Sequence, residues 1–317
     1  MIVTGTGGGS PRRSSPSDAR TASSSGPDPA RALRAVPDPA TGPDPAAGPR
    51  SGGSICEPVG MEELRWTADD QLAAGLDRPI LVVAFRGLFD AAGSATSAVE
   101  WLAERLDSVQ VGDVDPETFF DFTQERPVVE FDDHDVRWIR WATNRVLAVR
   151  TAEGQRDLVL VSGVEPHLRW RTFTEALLEA ATRSGSRMVV TLGSMSGMSP
   201  HTRPPAVTGS STNRDLADRL GLDRPSYQGP TGVVGVLHDT LDRAGVPVIS
   251  LRVSVPYYLP DSPNPKATRA LLRRFEQVSG IDTAHADLDG PAAEWQSRVE
   301  QAVAGDDEVS AHVRRLE

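Results

Sequence analysis

"SRMVVTLGSMSGMSPHTR" (residues 186–203) runs from an apolar segment straight into a loop of glycine, serine and methionine. A short apolar run that ends at glycine reads as a strand buried on both faces. "PILVVAF" (79–85) and "DLVLVSG" (157–163) read the same way, and "VPVISLRV" (246–253) reads as a further strand. Between these runs lie amphipathic segments: "SATSAVEWLAERL" (94–106), with Ser94 as its expected N-cap, then about 169–183, 213–220, 231–244 and 263–280. In the last of these Leu271, Leu272, Phe275 and Val278 share one side. Strands alternating with helices predict an α/β protein, a three-layer core with a mainly parallel sheet. Ligands of such sheets collect beyond the carboxyl ends of the strands. The loops after residues 85, 162, 192 and 253 are therefore expected on one rim.

Other stretches depart from that rhythm. "DPETFFDF" (115–122) predicts a short helix with Asp115 as cap and Pro116 at its first position. "RPVVEFDDHDVRWIRWATNRVLAVRT" (126–151) predicts a strand-rich hairpin insertion, and its Trp138, Arg140 and Trp141 suit an interface. Charged segments at 292–303 and 306–316 predict two further helices. Residues 1–60 are Gly-, Ser- and Pro-rich, with Pro-Asp-Pro-Ala at 27–30, 37–40 and 43–46. Too few apolar side chains occur there to offset the ordering entropy, so a disordered tail is expected, with Met61 a candidate alternative start. The expected organisation is the tail (1–60), an α/β core (61–280) and a helical C-terminal cap (281–317).

Composition excludes several classes. Over 317 residues the formal net charge is −11 with pI ≈ 5.1, which argues against a nucleic-acid surface. Cys56 is the single cysteine, so an intramolecular disulfide framework is excluded. No apolar run reaches the ~20 residues of a membrane span, and no secretory h-region precedes the core. A cytoplasmic protein is expected. Only one of the 33 Lys and Arg residues is lysine, Lys266, and no P-loop motif occurs. No G-x-G-x-x-G follows the first strand, and the six histidines show no metal-binding spacing. Neither a cofactor nor a metal is expected.

The rim loops hold the chemistry-bearing side chains. Gly87 and Asp90 follow the first strand; Asp90 fits either a ligand contact or a helix cap. Glu165 fits a general base or a structural ion-pair partner. "SYQGPTG" (226–232) places Tyr227, Gly229, Thr231 and Gly232 before a helix, as an anion cradle or as a helix-start device. "GSMSG" (193–197) misses the hydrolase nucleophile elbow because Met195 stands where serine is needed. Ser194 and Ser196 instead offer hydroxyls to a ligand. His201 and Arg203 pair a proton shuttle with a fixed charge, or else Arg203 braces its own loop. Tyr257 and Asn264 complete the set. Glu165 and His201 are the catalytic candidates, and Arg203 is expected near Glu165 or the 229–232 amides.

Five stretches carry a resemblance: "FRGLFDAAGSA" (85–95), "SGVEPHLRW" (162–170), "LGSMSGMSPHTRP" (192–204), "YQGPTGVVGVLHDTLDRAGVPVISLRVSVPYYL" (227–259) and "SPNPKATRALLRR" (262–274). In that order, over about 61–300, the sequence resembles the proteasome assembly chaperone 2 family in its actinobacterial branch. Leu88 stands where that family usually has tryptophan. The resemblance implies a core like those of purine nucleoside phosphorylases and peptidyl-tRNA hydrolases. It also implies a homotrimer with the hairpin at the subunit contact, and a helical segment over a ligand site. Two roles follow. One is binding of a small polar or anionic ligand, with hydrolase or transferase chemistry; the alternative is a protein-assembly factor without catalysis.

Overall fold

The computed structural model describes residues 63–67 and 75–317; the expected tail at 1–60 lies outside the described residues. Ten strands are present among these residues: β1 (Leu64–Trp66), β2 (Ile80–Arg86), β3 (Asp107–Val114), β4 (Val128–Phe131), β5 (Arg137–Arg140), β6 (Asn144–Arg150), β7 (Leu158–Val164), β8 (Val189–Gly197), β9 (Val207–Ser210) and β10 (Val248–Pro256). The helices are α1 (Ser94–Arg105), α2 (Pro116–Phe119), α3 (Trp170–Arg183), α4 (Arg214–Leu220), α5 (Val233–Arg243), α6 (Pro265–Ser279), α7 (Asp289–Ala304) and α8 (Asp307–Leu316).

Eight strands form one sheet in the order β1-β3-β6-β7-β2-β8-β10-β9. The block β7-β2-β8-β10 is parallel, so the loops after these four strands leave one edge, as expected. Both flanks are antiparallel, which corrects the expectation of a mainly parallel sheet. The link from β6 to β7 covers only residues 151–157, too short for the dozen or so residues of a parallel crossover. The sheet is therefore mixed. The proposed insertion also shrinks. Only β4 and β5 stand apart as a two-stranded hairpin, whereas β6 lies inside the main sheet between β3 and β7.

Side-chain alternation explains why β2 is apolar from Ile80 to Phe85. Ile80, Val82 and Ala84 pack with Ala95, Val99 and Leu102 of α1 and with Leu271 and Phe275 of α6. Leu81, Val83 and Phe85 face the opposite layer, with Phe173 and Leu177 of α3 and Leu237 and Leu241 of α5. Phe173 sits edge-on to both Phe85 and Phe119, at centroid separations of 5.4 and 5.3 Å. Pro116 opens α2 with Asp115 at the N-cap, as the sequence predicts. Ser94 is not the cap of α1. Gly93 takes that position with φ +60, and Ser94 becomes the first helical residue.

Candidate functional site

On the α5 side of the sheet, at the carboxyl edge, lies a cleft of about 790 Å³. Its floor follows from the pattern of β10. Ile249, Leu251, Val253 and Val255 point into the core, so Ser250, Arg252 and Ser254 point the other way. Parallel register sets Ser250 beside Thr191 and Arg252 beside Gly193, and antiparallel register sets Ser250 beside Ser210. From α5, His238 Nε2 meets Thr191 Oγ1 at 2.9 Å. Burial lowers the His238 pKa to about 4, so the ring is neutral near pH 7. Arg252 donates to Ser210 Oγ at 3.4 Å, and among the described residues no carboxylate lies within ion-pair distance of it. The walls are mostly apolar: Leu88, Phe89, Met195, Tyr227, Pro230 and Val234.

The expected residues divide into three groups. Gly87, Asp90, Ser196, Tyr227 and Thr231 line the cleft. Asp90 is nonetheless chiefly a cap. Its Oδ1 accepts from the Ala95 and Thr96 amides at 2.8 and 3.2 Å, and burial raises its pKa. Ser194 is fully buried and donates to the Ala91 carbonyl at 2.7 Å. The exposed Tyr227 donates to the Pro230 carbonyl at 2.9 Å, which closes the loop around Gly229.

Glu165, Gly87 and Gly232 form a second group. Glu165 Oε2 accepts from the Leu88 amide at 2.9 Å, and Oε1 accepts from the Val233 amide at 3.1 Å. The anion that the α5 N-terminus receives is thus the chain's own carboxylate. A Cβ at Gly87 would stand 2.5 Å from Glu165 Oε2, and one at Gly232 would stand 2.8 Å from Oε1. The two glycines make room for this pin. With each oxygen holding a backbone amide, Glu165 ties the loop after β2 to the first turn of α5, and it is not among the residues that line the cleft.

A third group lies under the C-terminal helices, away from the cleft. His201 is buried, with Nδ1 at 2.7 Å from Tyr258 Oη, and desolvation lowers its pKa. Lys266 Nζ donates to the His201 carbonyl and to Gln296 Oε1 of α7, both at 2.7 Å. Tyr257 Oη meets His312 Nε2 of α8, and Thr202 Oγ1 donates to Glu317 Oε1 at 2.7 Å. Asn264 caps α6 through Ala267 N at 3.0 Å. Arg203 is exposed and outside the cleft, so the expected convergence of Arg203 with Glu165 does not occur. The loop after β8 is divided in use: residues 193–196 border the cleft, and residues 201 and 202 hold the C-terminal helices.

Sequence reading missed His238, Thr191, Ser250 and Arg252. For Ser250 and Arg252 a signal was available in the alternation of "ISLRVSV" (249–255), which marks one polar face on that strand; His238 and Thr191 lie outside this stretch. Outside the cleft, the β4–β5 hairpin carries large apolar side chains beside charged ones on both faces. Register places Val128, Glu130, Trp138 and Arg140 on one face and Val129, Phe131, Arg137 and Ile139 on the other. Trp138 is 45% exposed, Phe131 64% and Ile139 42%. Arg140 Nε pairs with Glu130 at 2.6 Å, and Trp141 sits edge-on to Phe122 at 4.7 Å, fixing the base of the hairpin. No group of three or more His, Cys, Asp or Glu among the described residues is placed to hold a metal ion, and no described helix is long and apolar enough to cross a membrane.

Fold and site together define an α/β protein with a mixed sheet, a ligand-sized cleft at its carboxyl edge and an exposed apolar hairpin. The PAC2 family model matches residues 84–303, and the chain belongs to that family. It is 42% identical to a PAC2 family protein from Streptomyces avermitilis, with TM-score 0.69, covering 74% of this chain and 99% of that one. A Mycobacterium tuberculosis proteasome-assembly chaperone homologue is 37% identical, with TM-score 0.67 and coverage of 74% and 99%. An archaeal proteasome activator from Pyrococcus furiosus shares the fold at 17% identity and TM-score 0.60, with coverage of 76% and 99%. No curated protein matches the sequence.

Proposed function

We propose that this chain is a cytoplasmic protein-assembly factor of the proteasome-assembly-chaperone type, acting as a homo-oligomer and without catalysis. The β4–β5 hairpin carries this reading. An isolated two-stranded hairpin is marginal in water, and this one exposes large apolar side chains on both faces. Aromatic residues with arginine, as in Trp138, Arg140 and Trp141, have the composition of an interface core. Two faces with exposed apolar side chains suit two contacts, one to further copies of the chain and one to a client subunit. A trimer follows from the family resemblance, as does a kinship of the parallel block with phosphorylase and peptidyl-tRNA hydrolase cores. A shared core does not transfer their reactions.

The two catalytic candidates support the non-catalytic reading, since Glu165 is held by backbone amides and His201 lies beneath the C-terminal helices. Light scattering on the wild-type chain and on the double variant Trp138→Ser, Trp141→Ser tests the interface. The wild type is expected as an oligomer and the variant at the mass of the monomer. An unchanged mass in the variant would remove the hairpin from the account.

A further inference from the structure

Among the described residues Arg252 has no carboxylate within ion-pair distance. Its side chain is half-buried at the cleft floor, and among the described residues its side-chain hydrogen bond is the 3.4 Å contact to Ser210 Oγ. A guanidinium partly withdrawn from water is costly unless an anion neutralises it, and its planar fork matches an oxyanion. Gly193 leaves space beside its stem: a Cβ there would stand 3.4 Å from Arg252 Cγ. Hydroxyl groups of Ser210, Ser250 and Thr191 surround the floor and can donate to the same anion.

We propose that the cleft binds a small amphipathic monocarboxylate. Arg252 and the neighbouring hydroxyls hold its carboxylate, and Leu88, Tyr227 and Val234 cover its apolar body. The inference is independent of the assembly role and assigns the anion to Arg252, not to Arg203. The volume of about 790 Å³ falls in the range of small-molecule sites. One negative charge fits better than two. Among the described residues Arg252 is the one cationic side chain lining the cleft at neutral pH, while Asp90 and Asp261 line the same cleft and repel a dianion. The neutral state of His238 adds no second positive charge.

Three probes with a common apolar body separate the possibilities: 4-phenylbutyrate, 4-phenylbutyl phosphate and 4-phenylbutyramide, each titrated calorimetrically into the full chain. The carboxylate is expected to bind roughly tenfold or more tighter than the amide, and tighter than the phosphate. Arg252→Met is expected to abolish that preference while amide binding stays as in the wild type. Arg252→Lys, which retains charge and fold but loses the bidentate fork, is expected to bind the carboxylate with intermediate affinity. Arg203→Ala is expected to bind as the wild type. A tighter phosphate would overturn the monocarboxylate assignment. No carboxylate binding by the wild type, equal affinity for the amide, or full binding by both Arg252 variants would overturn the site.

Discussion

Glu165 occupies the place that an external anion takes at many helix N-termini. Its two oxygens tie the loop after β2 to the first turn of α5, and so set one wall of the cleft. Hydrogen bonds to a charged acceptor contribute more than neutral ones, so Glu165→Ala is expected to destabilise the fold by about 2–3 kcal/mol. Glu165→Gln keeps one acceptor and is expected to cost about half as much. Urea midpoints of the two variants check the order; two unchanged midpoints would remove the pin. His238 gives a pH signature. Its folded pKa of about 4 lies below the ordinary 6.5, so between those values the unfolded chain binds a proton that the folded chain does not. Stability from this group is complete above pH 6.5, falls as pH drops through the window, and levels near 4. The full loss is about 3 kcal/mol. His238→Gln keeps a partner for Thr191 and is expected to flatten the midpoint-against-pH curve in that window. Superimposable curves would contradict the assignment.

The elements differ in how much of them the residues declared in advance. Strand β2 from Ile80 to Phe85 and β7 from Leu158 to Val161 are apolar because both faces are covered, and such runs need no knowledge of the partner strand. The end of α6 and the start of α2 follow from Gly280 and Pro116, local signals that packing does not override. Whether β6 belongs to the hairpin or to the sheet is a different kind of question. Its seven residues carry the same β-rich pattern as β4 and β5, and only pairing with β3 and β7 decides it. Site residues divide on the same principle. Gly87, Asp90, Tyr227 and Thr231 were legible as rim-loop residues, and the alternation along β10 marks Arg252 as part of a polar face, whereas His238 required knowing that α5 packs over Thr191 of β8. Glu165 was legible as a rim residue but not as a pin, because its partners come from loops 77 and 68 residues away. At this scale the hairpin makes a prediction of its own: Trp141→Ala removes the edge-on contact with Phe122. Amide exchange across 128–140 is expected to rise in this variant while the main sheet stays protected. Unchanged exchange would mean that Trp141 does not fix the hairpin base.

At the scale of the whole molecule, one edge of the sheet serves two uses, separated by the loop after β8. One side borders the cleft, and the other holds α7 and α8 through Lys266, Tyr257 and Thr202. The hairpin projects from a different part of the chain, anchored through Phe122 and Trp141. The central claim is that the chain promotes assembly of proteasome-type subunits through that hairpin. Its most direct test follows purified, unassembled proteasome α and β subunits by sedimentation velocity, with the full chain added or withheld. The wild-type chain is expected to raise the rate at which complete particles appear, and the Trp138→Ser, Trp141→Ser variant is expected to leave the unassisted rate. An unchanged rate with the wild type, or equal acceleration by the variant, would contradict the account.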